Sequence, residues 1–148
     1  MFPVGLAARD TLRFEVGYCL YGNDLSDETT PLEAGLGWTV KLKKEDFVGR
    51  EVLLKQKEGG PARRLAGLQP DDVKAIPRSG YAVLADGETV GHVTSGTFAP
   101  TLERGLAMGY LAARSAAPGT RVSIAIRNKE VPAEVVRTPF YRQGSRKT

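Results

Sequence analysis

At 148 residues, 41% hydrophobic and 26% charged, the chain has the composition of a folded globular protein, long enough for one average domain or a small one plus part of another. Its net charge of +4 belongs to the end: residues 137–148 carry Arg137, Arg142, Arg146 and Lys147 with no acid, and the balanced remainder gives little ground for a nucleic-acid partner. A single cysteine, Cys19, excludes a disulfide framework and a multi-cysteine metal site, while no apolar run approaches the roughly 18 residues of a membrane helix.

From Gly5 to Val16 the apolar residues Ala8, Leu12 and Val16 recur at i, i+4, i+8, one stripe of a helix, and Gly17 is placed to end it. Arg9 and Arg13 share another face. Like charges one turn apart repel by roughly 0.2–0.5 kcal/mol, so the pair asks for an anionic neighbour: Asp10, Glu15, a group from outside the chain, or a ligand. Residues 18–35 are dense in Gly, Asn, Asp, Thr and Pro and predict an ordered loop, of a length usually found packed over a site. Leu36, Trp38, Val40 and Leu42 alternate with other residues and predict a half-buried strand over 35–42. Asp46 then precedes a short predicted helix over 47–57, stopped by Gly59-Gly60.

Beyond Gly59-Gly60-Pro61 the pattern changes to six β segments at regular spacing: 63–69, 81–85, 89–97, 105–112, 121–127 and 130–138. Such spacing fits a small closed barrel or a jelly roll. Asp86-Gly87 is the clearest hairpin turn, and Asn128-Lys129 is expected to join the last two strands. The fold class expected is therefore mainly β, a six-stranded antiparallel barrel over 61–140, preceded by an α+β segment over 1–60 and followed by a basic tail over 141–148.

Few residues carry recognisable chemistry on their own. His92 is the single histidine, with no nucleophile beside it in sequence, and is expected to be structural. Cys19 would become a nucleophile only if Arg9 or Arg13 favoured its thiolate; between Tyr18 and Leu20 it reads as a small buried hydrophobe. The GHVTSG stretch at 91–96 lacks the length and the Lys-Ser/Thr of a phosphate loop. Carboxylates are scattered, with no metal-ligand spacing. Phe14, Tyr18, Tyr21, Trp38 and Phe47 concentrate aromatic surface in the first third, where core packing is the default and stacking on a flat heterocycle the alternative.

Longer stretches go further. GLAARDTLRFEVGYCLYGNDLSDETTPLEAGLGWTVKL at 5–42, DFVGRE at 46–51, HVTSGTFAPTLERGLAMGYL at 92–111, PGTRVSIAIRNKEVPAEVV at 118–136 and the terminal PFYR at 139–142 closely resemble the aminomethyltransferases, the T-proteins of glycine cleavage. The resemblance covers nearly the whole chain. It implies transfer of an aminomethyl carbon from the lipoyl arm of an H-protein to tetrahydrofolate, with release of ammonia, in a three-domain ring whose last domain is a small antiparallel barrel. It implies too that this chain is the C-terminal portion of such a protein. Arg9 matches the family arginine that contacts folate, and Arg142 or the adjacent Tyr141 matches a second contact near the end. A planar, permanently charged guanidinium suits a carboxylate or a heteroaromatic edge.

The family's catalytic aspartate and a folate-binding glutamate are expected in the missing N-terminal portion, so no catalytic residue is assigned here and the chain alone is expected to be inactive. The partners expected are the lipoylated H-protein and that N-terminal portion, with self-association through exposed Leu36, Trp38 and Val40 when it is missing. No nucleic acid, membrane or metal is expected. The compartment implied is the cytoplasm, or the mitochondrial matrix in a eukaryote; Met1-Phe2-Pro3 lacks a signal-peptide pattern. Alternatives are the folate-binding part of a sarcosine or dimethylglycine dehydrogenase-like enzyme and a non-enzymatic barrel module. A related iron–sulfur assembly protein carries Lys-Gly-Cys-Tyr-X-Gly-Gln-Glu, which is absent around Cys19.

Overall fold

The computed structural model describes residues 3–144, so Arg146 and Lys147 of the expected basic tail lie outside the described residues. Helix α1 (Leu6–Glu15) and helix α2 (Arg50–Gly59) precede six strands: β1 (Arg63–Pro70), β2 (Ala82–Ala85), β3 (Glu88–Ala99), β4 (Arg104–Ala112), β5 (Arg121–Ile126) and β6 (Lys129–Val136). The strands follow the order β1-β4-β3-β2-β5-β6 and close into a barrel, all neighbours antiparallel, with β6 pairing back onto β1. The expected six-stranded barrel is thus present, and closure settles it against a jelly roll. Closure also leaves no sheet edge with unpaired backbone groups.

Alternation along the strands fills the interior. Leu68, Val83, Val93, Ala107, Leu111, Ile124 and Val135 are buried and form one cluster. β4 departs from simple alternation, because every residue from Gly105 to Leu111 is buried. Its inward residues Ala107 and Leu111 face the barrel core, while Leu106 and Met108 belong to a second cluster with Phe14 of α1 and, partly buried, Phe140. The nearly unbroken apolar run GLAMGYLA follows from this: a strand covered on both faces has no reason to alternate. Phe14 and Phe140 stack at 5.3 Å between ring centroids, and Gly67 on β1 leaves the space that Phe140 occupies. Burying a side chain such as Phe14 contributes about 1.5–3 kcal/mol, enough to seat a ten-residue helix that would be marginal alone.

Two turns show how register is decided. Asp86 and Gly87 take positive φ (52° and 80°) in the expected hairpin. The second turn is Arg127-Asn128 instead of Asn128-Lys129: Lys129 already pairs with Ile126, and the positive φ of 56° falls on Arg127. Inward placement of Val122, Ile124, Ala133 and Val135 sets that register, since a one-residue slip would turn every side chain to the other face.

The first third differs most from expectation. Residues 35–42 are not a strand but a turn region with a 3-10 helix at Gly37–Thr39, in which Thr39 N–H donates to Leu36 O at 2.9 Å. The closed barrel has no free edge, so an alternating segment outside it finds no ladder and satisfies its backbone locally. Trp38 is 82% exposed, and Tyr18 and Tyr21 are exposed as well, so of the five aromatic residues only Phe14 enters a core. The Ala8, Leu12, Val16 stripe is not the buried face of α1 either. Leu12 is exposed, and the residues the helix buries are Phe14 and Glu15. α2 starts at Arg50, three residues later than expected, because Gly49 adopts φ 86°.

Candidate functional site

The loop between α1 and α2 buries carboxylates, and a buried carboxylate demands donors. Asp24 is fully buried. Its Oδ2 accepts from Arg13 Nη1, Leu20 N–H and Ser95 Oγ, each at 2.9 Å, and its Oδ1 accepts from Thr94 Oγ1. Tyr110 on β4 donates its hydroxyl to the Asp24 carbonyl at 2.9 Å. Burial pushes the Tyr110 phenol up, which keeps that donor protonated.

A β-bulge makes this cluster possible. Val93 pairs with Gly109 and Ser95 with Met108, so Thr94 is the extra residue. Consecutive strand residues normally point to opposite faces, and the bulge lets both hydroxyls reach one carboxylate. Gly109 accommodates it, since a Cβ there would lie 2.5 Å from the His92 carbonyl oxygen.

Arg13 is the other half of the junction. Nε donates to Asp10 Oδ1 at 2.8 Å, Nη1 also to the Tyr18 carbonyl at 3.0 Å, and Nη2 to Ser95 Oγ at 3.2 Å. Two further acids fasten the same region. Glu33, nearly buried, accepts from Arg63 Nε at 3.1 Å and from Thr30 N–H at 2.9 Å, while its backbone carbonyl accepts from Leu65 N–H of β1 at 2.8 Å. The Arg63 guanidinium lies 5.0 Å from the Tyr110 ring centroid. Glu15, buried at the end of α1, accepts from Thr101 N–H at 2.8 Å.

The consequence for the two helical arginines is a division of roles. Arg13 is fully engaged, whereas Arg9 is exposed and, among the described residues, makes no ion pair and no side-chain hydrogen bond. Of the anionic neighbours expected for the pair, Asp10 pairs with Arg13, together with an acid that sequence reasoning missed, Asp24. Tyr141 is brought to the foot of α1, where its N–H donates to the Glu15 carbonyl at 2.8 Å. Arg9 lies six residues up the helix, about 9 Å along the axis. Arg142 donates through Nε to the Pro139 carbonyl at 3.2 Å and lines a cavity on the barrel's outer face together with Arg104 and Arg137.

Cys19 and His92 are the remaining candidates. Cys19 is half-buried; burial, then the Asp24 carboxylate, push its thiol up against the opposing pull of Arg13, so it is no thiolate nucleophile at neutral pH. His92 is exposed on β3, paired in the ladders with Ala82 and Tyr110. Among the described residues no three His, Cys, Asp or Glu side chains are placed to hold a metal ion, and no helix is long and apolar enough to cross a membrane. Asp24, Glu33, Thr94, Ser95 and Tyr110 went unread in the sequence. The one available signal was a pair of adjacent hydroxyl residues inside a strand, in GHVTSG.

Residues 63–142 match the glycine cleavage T-protein C-terminal barrel domain, and residues 1–44 match the GCVT N-terminal domain. The chain is 52% identical over 141 residues to an aminomethyltransferase of Desulforamulus reducens, covering 95% of this chain and 38% of that protein. It is 51% identical over 148 residues to an aminomethyltransferase of Symbiobacterium thermophilum, covering 99% of this chain and 39% of the relative. The crystal structure of glycine cleavage system aminomethyltransferase T from Bartonella henselae superposes with a TM-score of 0.89 at 39% identity, covering 95% of this chain and 40% of that one. The chain thus spans about two-fifths of the length of the relatives it matches. By the match over its whole barrel and by this structural likeness, the chain belongs to the aminomethyltransferase family, the T-proteins of the glycine cleavage system.

Proposed function

We propose that the chain is the C-terminal part of a tetrahydrofolate-dependent aminomethyltransferase, which moves the aminomethyl carbon from the lipoyl arm of an H-protein to tetrahydrofolate and releases ammonia. Residues 1–60 complete the folate-binding body, and the barrel over 61–140 closes one side of it. The observation that carries this reading is Arg9: a guanidinium unpaired among the described residues, on a helix held to the barrel by the Arg13–Asp24–Ser95 junction. A permanently charged planar guanidinium without a protein partner, carried on a fixed helix, suits an anionic or π-rich ligand.

In this reading tetrahydrofolate supplies the nucleophilic nitrogens that take up the carbon. Arg9 orients the folate through a carboxylate or ring edge, and Tyr141, tethered to the same helix through Glu15, packs beside it with Arg142 next in the chain. The general acid or base comes from the N-terminal portion, so the 148-residue chain by itself makes no methylenetetrahydrofolate. In the full-length protein containing this segment, Arg9→Ala is expected to raise KM for tetrahydrofolate at least tenfold with no change in melting temperature. An unchanged KM would refute the assignment of Arg9, and turnover by the isolated chain would refute the division of the site.

A further inference from the structure

A cavity of about 420 Å³ opens on the outer face of the barrel, between β1, the start of β4 and the segment after β6. Three arginines line it, Arg104, Arg137 and Arg142, with Gln69 beside them and Phe140 as one apolar wall. No acid lines it, and among the described residues none of the three arginines is in a salt bridge. Of the nearby acids, Asp71 and Glu134 both pair with Arg121, although the Arg104 charge also acts on Asp71, and Glu15 accepts from Thr101 N–H.

Arg104 has the informative geometry. One end of its guanidinium is anchored, Nη2 donating to the Pro70 carbonyl at 2.7 Å. Its Nε is buried and has no hydrogen-bond partner, and it is the one such side-chain atom among the described residues. A buried charged donor without a protein acceptor is costly, and it leaves the Arg104 charge poorly compensated by the protein around it. Three like charges around one apolar-walled cavity repel one another unless an anion enters.

We propose that this cavity is an oxyanion-binding site, taking a carboxylate or phosphate group with Arg104, anchored through Nη2, as its fixed charge and the exposed forks of Arg137 and Arg142 closing over it. Guanidinium forks match both oxyanions in geometry, and Gln69 adds a neutral donor at the rim. The site shares Arg142 with the folate reading but not Arg9, and Arg104 and Arg137, which that reading does not use, carry it.

The test is calorimetric titration of the 148-residue chain at low salt, with inorganic phosphate in one arm and tri-γ-glutamate in the other. Saturable binding is expected in at least one arm, weakened at least tenfold by Arg104→Gln and by Arg137→Gln, and changed less than twofold by Arg78→Gln, an exposed arginine outside the cavity. Tighter binding of the tripeptide, displaced by phosphate, identifies a carboxylate as the natural group; tighter binding of phosphate alone identifies a phosphate. Arg137 is exposed, so its variant keeps the test valid even if Arg104→Gln disturbs folding. No saturable binding in either arm, or equal weakening by Arg78→Gln, overturns the proposal.

Discussion

Replacing Asp24 by alanine should unfasten α1 from the barrel. The carboxylate is wholly buried and accepts from four donors, Arg13, Leu20 N–H, Thr94 and Ser95. Its loss leaves Arg13, whose side chain is only 10% exposed, without its buried counter-charge, and leaves the Leu20 N–H and the Ser95 hydroxyl short of an acceptor, while Thr94 can still donate to the Met108 carbonyl. Removing one partner of a buried ion pair costs about 3–5 kcal/mol. Arg13 keeps Asp10, which is itself 44% exposed, as well as the Tyr18 carbonyl, so the lower end applies. A loss of about 3 kcal/mol lowers Tm by roughly 6–12 °C for a chain of this size. Asp24→Asn retains an acceptor oxygen of the same shape and should cost about half as much. Urea unfolding of both variants gives the magnitude, and hydrogen exchange gives the place: amides of residues 6–25 should lose protection while β1, β5 and β6 keep theirs. A cost below 1 kcal/mol for Asp24→Ala, or protection lost evenly across the barrel, would refute the view that this carboxylate is the pin between helix and sheet.

Three other perturbations separate core from surface and thiol from thiolate. Leu68→Ala, at a fully buried position inside the barrel, should cost about 2–5 kcal/mol in urea unfolding, whereas Val52→Ala on the exposed side of α2 should stay within about 0.5 kcal/mol. Gly91→Ala should destabilise by about 2 kcal/mol or more, because a Cβ there collides with the Tyr110 carbonyl and comes within 2.9 Å of Leu111 Cα; a neutral outcome would mean the β3–β4 pair shifts freely. Cys19 has its thiol pushed up in the folded chain by burial and then by Asp24. The stabilisation linked to it is therefore complete below the unfolded thiol pKa and is lost as pH rises through the higher folded value. Alkylation at pH 8 should be slower in the folded chain than in urea, and the alkaline loss of stability should be smaller in Cys19→Ser.

Much of the architecture was legible before any coordinates. Period-two alternation placed six strands within a residue or two of their ends, and Asp86-Gly87 marked its turn, because both report only which side of a local element is buried or which φ a residue tolerates. The misplacements have the same origin. Alternation over 35–42 described a strand for which no partner existed, and the Ala8, Leu12, Val16 stripe described a helical face that the barrel never covers. Arg9 and Arg13 looked equivalent at one-turn spacing. They diverge because Asp24 and Ser95 lie within reach of one and not of the other.

What the sequence determined by itself was therefore the set of strands, the interior alternation, the helix that follows Gly5 and the family pattern around Arg9. What only the tertiary structure decided was which polar groups meet. Asp24 reaches Thr94 and Ser95 across 70 and 71 residues, and its carbonyl meets Tyr110 across 86. The same is true of Arg104, left with a buried unpaired Nε beside Arg137 and Arg142. Periodicity records how a side chain faces its own element. The partner of a buried charge depends on barrel closure and on one bulge, which bring together residues that no local pattern links.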